Sequence, residues 1–221
     1  MTRAEIQMQL QAAFAQYLGA SATVTQQLIP QSVSNGKLYE AYILSQVLEK
    51  LSVQEGFSLL LVGGTKIQLK SSPGPINRNY PRVELRAGGN CAAELWTDVE
   101  FISMSYCRRA NAALTNGDYH ELDILIVDAG VAGRPRFDQV WLGVECKNTG
   151  YKKGFLKEIL GVRRELSLLS YSRPTRFTVW PRADIPANPA SCLLVYSTDA
   201  DVLNYAAPGD MFGIDFVYEA M

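Results

Sequence analysis

Residues 121–128, ELDILIVD, and 140–148, VWLGVECKN, decide how the rest of this chain is read. Each is a short run rich in Leu, Ile and Val, the composition of a strand. Asp123, Glu145 and Lys147 interrupt that pattern, and a charge left unpaired among apolar neighbours costs several kcal/mol. Side chains two apart share one face of a pleated strand. Glu145 and Lys147 therefore point the same way. Cys146 points to the opposite face, where a small apolar side chain belongs. Asp123 and Glu145 are separated by 21 residues, enough for a loop and a return strand. If the two strands pair, all three charges can converge. Two carboxylates then form a hard oxygen site suited to Mg²⁺ or Mn²⁺. A lysine beside them can orient a water or offset charge developing on a phosphoryl group.

Working outward, the segment GYKKGFLKEILGVRRELSLLSY (150–171) places Phe155, Ile159, Val162, Leu166 and Leu169 at spacings of four and three, which predicts an amphipathic helix. RFTVW (176–180) and CLLVYST (192–198) read as late strands, and MFGIDFVYE (211–219) as a closing edge strand. Upstream, GKLYEAYILSQVLEKL (36–51) has a broad apolar helical face, and residues 3–18 carry Ile6, Leu10, Ala13, Phe14 and Tyr17 at helical spacing, ended by Gly19. Residues 20–35 read as a loop or short turn. SLLLV (58–62) and TKIQLKS (65–71) are short strands around Gly63–Gly64, and 72–81 is a loop by its Pro, Gly and Asn content. RVELRA and AAELWTDVEFISM flank a turn at 88–90, a hairpin pattern. Residues 107–117 are expected to form a short helix. The order of helix, strands, helix and strand predicts one α/β domain, residues 36–221, with a mixed central sheet flanked by helices and a helical extension over residues 1–35.

Composition narrows the function classes only a little. The chain has 221 residues, 48% apolar and 19% charged, with a formal net charge of -1. Such a balance supports a folded core and neither requires nor excludes a nucleic acid, so any polyanion must be met by a local basic patch. Residues 147–176 supply one: eight Lys or Arg stand against Glu158 and Glu165. Following directly on the second charged strand, this segment suits contact with a phosphate backbone. Lys152, Lys153 and Arg164 are the expected contacts, with Asn148 and Tyr151 flanking the site. A solvated helix face is the plainer account of the same charges. The four cysteines form no CxxC and the chain has one histidine, so no zinc spacing exists. No signal peptide or membrane span is expected, and a soluble cytoplasmic protein follows.

Asp123, then 21 residues, then Glu145-Cys146-Lys147 resembles the PD-(D/E)XK signature of the restriction-endonuclease-like nucleases. The helix bearing Gly36-x-x-x-Glu40 is similar to the element seen in the Holliday-junction-resolvase and Mrr-like members. The resemblance implies a restriction-endonuclease-like core. It implies Asp123 and Glu145 as ligands of Mg²⁺ or Mn²⁺, with the Cys146 carbonyl completing the shell. Lys147 becomes the lysine at the attacking water and Glu40 a further catalytic acid. It also implies a DNA endonuclease, acting in restriction or antiviral defence as a homodimer or as a subunit of a larger complex, with RNA also open as a substrate. Two departures stand out: Leu122 replaces the signature proline, and no Gln-x-x-x-Tyr follows the lysine. The motifs span 36–170 and are short and degenerate. Glu121 shares the parity of Asp123 and is either a second ligand or a supporting partner. His120 reads as a strand-end residue, and Asp128 as a turn residue. Two further accounts stay open: a catalytically silent member of the fold that binds nucleic acid or a protein partner, and a structural ion-pair network on an unrelated α/β scaffold.

Overall fold

The computed structural model describes residues 3–19, 34–64, 72–109 and 113–221. The expected strand at 65–71 and nearly all of the expected loop at 20–35 lie outside the described residues. Helix α2 (Asn35–Val53) begins where Ser34 Oγ accepts the Lys37 N–H at 3.2 Å, satisfying one of the donors that a helix start leaves open. Its Leu38, Ile43, Leu44, Val47 and Leu48 are buried, as is the row Ile6, Leu10 and Phe14 of helix α1 (Arg3–Leu18). Both helices cover one face of a seven-stranded sheet.

The strands are β1 (Ser58–Val62), β2 (Arg82–Ala87), β3 (Asn90–Ile102), β4 (Tyr119–Asp128), β5 (Val140–Lys147), β8 (Cys192–Ser197) and β9 (Ile214–Tyr218), in that spatial order. From β1 to β5 the pairing is antiparallel; β5, β8 and β9 run parallel. Helix α4 (Lys153–Leu166) makes the crossover from β5 and covers the opposite face through Ile159 and Leu166. Strands β6 (Leu168–Pro174) and β7 (Asp184–Asn188) form a separate antiparallel pair. Helices α3 (Met104–Cys107) and α5 (Ala206–Asp210) are single short turns. The architecture is thus an α/β protein with a mixed sheet between two apolar layers, and the β2–β3 hairpin turns at Gly88 and Gly89, both left-handed.

Three expectations are corrected. The helix of 150–171 stops at Leu166, and Leu168–Pro174 is strand β6 instead: Ser167, Ser170 and Ser172 disfavour a helix, and pairing with β7 satisfies the backbone. The expected strand at 176–180 is a bend, because the Glu55 carboxylate takes the N–H groups of Thr178, Val179 and Trp180 at 2.6 Å each, leaving them none to give a ladder. Of the span 107–117 expected to form a short helix, residues 110–112 lie outside the described residues; among the rest the helix lies earlier, at α3, and a 3-10 turn occupies Asn116–Asp118.

One irregularity positions the site. On β3, Ala93 and Leu95 face α2, whereas Val99 and Phe101 face α4, although strict alternation would put all four on one side. On β4, Ile124 and Ile126 face α2 while Leu122 faces α4. Both strands therefore switch faces at the same level, between the paired Thr97–Ile124 and Val99–Leu122. The residues inside that interval are Asp98 and Asp123. Asp98 has φ 51°, a left-handed conformation that disfavours most residues and that Asp tolerates better than most. Beyond the switch, Leu122 lies over Gly143 of β5, where a Cβ would stand 2.4 Å from Leu122 Cδ1.

Candidate active site

Glu145 and Lys147 end β5 on the α4 side, and Cys146 packs toward the α2 layer, as the alternation requires. The β4–β5 ladder stops at Ile124–Val144. Just beyond it, the Cys146 N–H donates to Asp123 Oδ2 at 2.6 Å. The first carboxylate thus lies directly against the Glu-x-Lys strand end. In an extended strand the N–H and C=O of one residue leave by the same edge, so the Cys146 carbonyl is on the Asp123 side as well. The Lys147 carbonyl leaves by the other edge, accepting from the Thr198 N–H at 3.1 Å.

Lys147 is held on three sides. Its Nζ is 2.7 Å from Glu145 Oε1, 3.8 Å from Glu158 Oε1 on α4, and 5.2 Å from the centre of the Phe155 ring. Asp123, Glu145 and Lys147 line one groove of about 430 Å³ between the β4–β5 strand ends and α4, with His120, Glu121, Lys157 and Glu158 as further walls. Glu121 faces Glu100 across the β3–β4 pair, and Glu100 is bound by Arg134 at 2.8 Å. Glu121 is exposed and stands at the rim.

From the other layer, Glu40 on α2 reaches the same place. Carboxylate oxygens of Glu40, Asp98 and Asp123 all lie within 4.8 Å of one another. Asp98, fully buried, was not singled out from the sequence; the signal for it was the broken alternation of β3. Lys37, one turn before Glu40, donates to Glu40 Oε2 at 2.6 Å and to Asp98 Oδ1.

The electrostatics record the crowding. Burial, then the neighbouring Asp123, push Glu40 up to about 7, against the pull of Lys37. Asp123 is also raised, by burial and by Asp98, although the Cys146 N–H favours its charge. Glu145 is raised by burial and by Asp123 in spite of Lys147, and Glu121 is raised by burial and Asp123. Burial works against the charge of Lys37, but its bonds to Asp98 and Glu40 outweigh it and raise its pKa. In a second acidic group, Glu84, Cys91 and Glu94, the Glu94 carboxyl moves the opposite way. Burial disfavours the Glu94 charge, but a bidentate Arg78 at 2.8 Å and a nearby Arg82 lower its pKa. That group is internally neutralised. The group around Asp123 has more negative charge than its lysines offset, and its oxygen-only donor set fits a hard divalent cation.

The remaining expected contacts separate. Lys152 and Lys153 are exposed at the start of α4, and Lys157 is in the groove wall. Arg164 is exposed near the end of α4 and lines a different cavity. Asn148 Oδ1 accepts from Thr198 Oγ1 at 3.2 Å. Tyr151 is only 7% exposed: its ring packs on Phe155, Tyr205 and Phe216, and its N–H is taken by Asp199, so its side chain lies in the core. Among the described residues no helix is long and apolar enough to cross a membrane. Comparison with family models, with curated proteins and with solved structures returned no match to the chain.

Proposed function

We propose that this chain is a metal-dependent nuclease of the PD-(D/E)XK type, with a restriction-endonuclease-like core, that hydrolyses phosphodiester bonds in DNA. The observation that carries the reading is the placement of Asp123 against the end of the Glu145-Cys146-Lys147 strand, with Glu40 brought to Asp123 from α2. Asp123 and Glu145, supported by Glu40 and Asp98, would hold Mg²⁺ or Mn²⁺, with the Cys146 carbonyl on the same edge. Such an ion supplies polarisation of a phosphoryl oxygen and a more acidic bound water.

The chain's own residues do the rest. Lys147, positioned by Glu145 and by the face of Phe155, donates a hydrogen bond to the attacking water and offsets charge on the phosphoryl oxygens. Asp123 is kept in place by the Cys146 N–H. Lys157 in the groove wall, with Lys152 and Lys153 at the start of α4, attracts the phosphate backbone. The same site read as part of restriction or antiviral defence implies a second copy, or a larger complex, to cut both strands.

The test is cleavage of supercoiled and linear DNA by the purified chain in Mg²⁺, Mn²⁺ or EDTA. Lys147→Ala and Asp123→Ala are expected to abolish divalent-dependent cutting while keeping the wild-type circular dichroism spectrum. Undiminished cutting by either variant would sink the assignment. A second reading has one observation in its favour: Lys37 bridges Glu40 and Asp98, and Lys147 pairs with Glu145, so part of the charge is met internally. This is the catalytically silent subunit that binds nucleic acid or a protein partner. Mn²⁺ titration followed by calorimetry decides between the two, since a silent site shows no binding that Asp123→Ala removes.

A further inference from the structure

Arg163 is an unusual residue to find where it is. It lies on α4, in a run of basic side chains that otherwise face water, yet it is only 3% exposed. Its guanidinium donates to the Ser191 carbonyl at 2.7 Å and to Ser191 Oγ at 3.2 Å. Among the described residues no carboxylate lies within ion-pair distance of it. The one ionisable neighbour acting on it among the described residues is the Cys192 thiol, which burial pushes up to about 12 and so leaves neutral. Burial pulls Arg163 itself down to about 10, which still leaves a full positive charge at neutral pH. A buried cation met only by neutral acceptors is an incomplete arrangement, because two neutral oxygens return little of the hydration it gave up.

A cavity of about 230 Å³ lies beside it, lined by Arg163 and Ser167 and walled by Leu160, Leu168, Ala187 and Phe212. The Ser167 hydroxyl is buried and has no hydrogen-bond partner. Two observations therefore point to a ligand at one place: an uncompensated buried guanidinium and an unpartnered buried hydroxyl. Both residues line a cavity whose other walls are apolar apart from the exposed Arg164. The volume is below the ~300 Å³ where sites for drug-sized ligands begin. A single buried cation is matched by a single negative charge.

The geometry points to a second binding site, across α4 from the groove of Asp123, for a compact monocarboxylate with an apolar body: the carboxylate meets Arg163 and the Ser167 hydroxyl, and the hydrocarbon lies against Leu160, Leu168 and Phe212. The inference is independent of the nuclease reading. It uses neither the groove nor its acids.

Octanoate is the probe, tested on the full chain by isothermal calorimetry and thermal unfolding beside 1-octanol and inorganic phosphate. Octanoate is expected to bind saturably and to raise the unfolding midpoint. Octanol, lacking the charge, and phosphate, lacking the body, are each expected to bind about tenfold more weakly or worse. In ¹⁵N spectra the perturbed signals should include the Arg163 side chain and the Ser167 amide. Arg163→Met should remove the preference for octanoate over octanol. Absence of saturable octanoate binding, equal binding of octanol or of phosphate, perturbed signals confined to other residues, or full octanoate affinity in Arg163→Met would each overturn the proposal. If Arg163→Met does not fold, the three-probe comparison and the spectra of the wild-type chain decide it alone.

Discussion

Glu40→Gln separates a charged site from a structural ion pair. Burial and Asp123 raise the Glu40 carboxyl from the ordinary 4.5 to about 7, after Lys37 has exerted its opposite pull. The Glu40 side chain is 14% exposed, so solvent screens little of this. An acid whose folded pKa is raised binds its proton more tightly when folded. Its contribution to stability is present in full below 4.5 and is lost as pH rises through about 7. At 1.36 kcal/mol per pH unit, that rise corresponds to about 3 kcal/mol at pH 8. Gln keeps the shape and cannot ionise. Without divalent ions, Glu40→Gln should therefore be more stable than wild type at pH 8, by about 2–3 kcal/mol, and the two should converge at pH 4.5. Urea unfolding in EDTA at several pH values measures this. The neighbouring Asp123 and Glu145, also raised, should steepen the wild-type decline. Adding Mg²⁺ at pH 8 should restore more stability to wild type than to Glu40→Gln. The reasoning is refuted if Glu40→Gln is less stable than wild type at pH 8. Lys37–Glu40 would then be a net stabilising pair and the acids around Asp123 would need no further cation.

Other consequences follow from single contacts. Gly143→Ala places a methyl 2.4 Å from Leu122 Cδ1 inside the sheet and should destabilise by about 1–3 kcal/mol in urea unfolding; a neutral result would mean Leu122 moves freely. Tyr151→Phe removes a buried hydroxyl that has no partner and should raise the unfolding midpoint slightly without changing DNA binding, which would fall if Tyr151 touched substrate. Arg78→Met strips the bidentate partner from buried Glu94, leaving Arg82, and should cost about 2 kcal/mol by the same assay. Lys147→Ala and Asp123→Ala should eliminate divalent-dependent DNA cleavage, as the gel assay above measures.

Much of this molecule is legible from local rules. Short runs rich in Leu, Ile and Val placed β4 and β5, the 3.6-residue period placed α2 and the buried face of α4, and two glycines placed the β2–β3 turn. Glu145 and Lys147 on one face, with Cys146 on the other, follow from alternation alone, which needs no tertiary knowledge. Where a side chain or a partner strand took over the backbone donors, local rules failed. Glu55, 123 residues before Thr178, captures the N–H groups of 178–180 and bends an apolar run that reads as a strand. Partner β7 turned the serine-rich tail of the expected helix into β6.

The candidate site divides the same way. The sequence determines which residues can carry the chemistry, because side-chain type and strand parity are local. Only the tertiary structure decides which acids meet. Asp98 and Asp123 come together because both β3 and β4 reverse their faces at one level, and Glu40 and Lys37 join them because α2 packs across that end of the sheet. Tyr151, adjacent in sequence to the charged strand, is drawn into the core by the rings of Phe155, Tyr205 and Phe216. Arg163, in sequence one more member of a basic run, is buried because its position on α4 faces the β7–β8 connection at Ser191. Proximity of that kind depends on contacts between segments distant in the chain, and no local pattern encodes it.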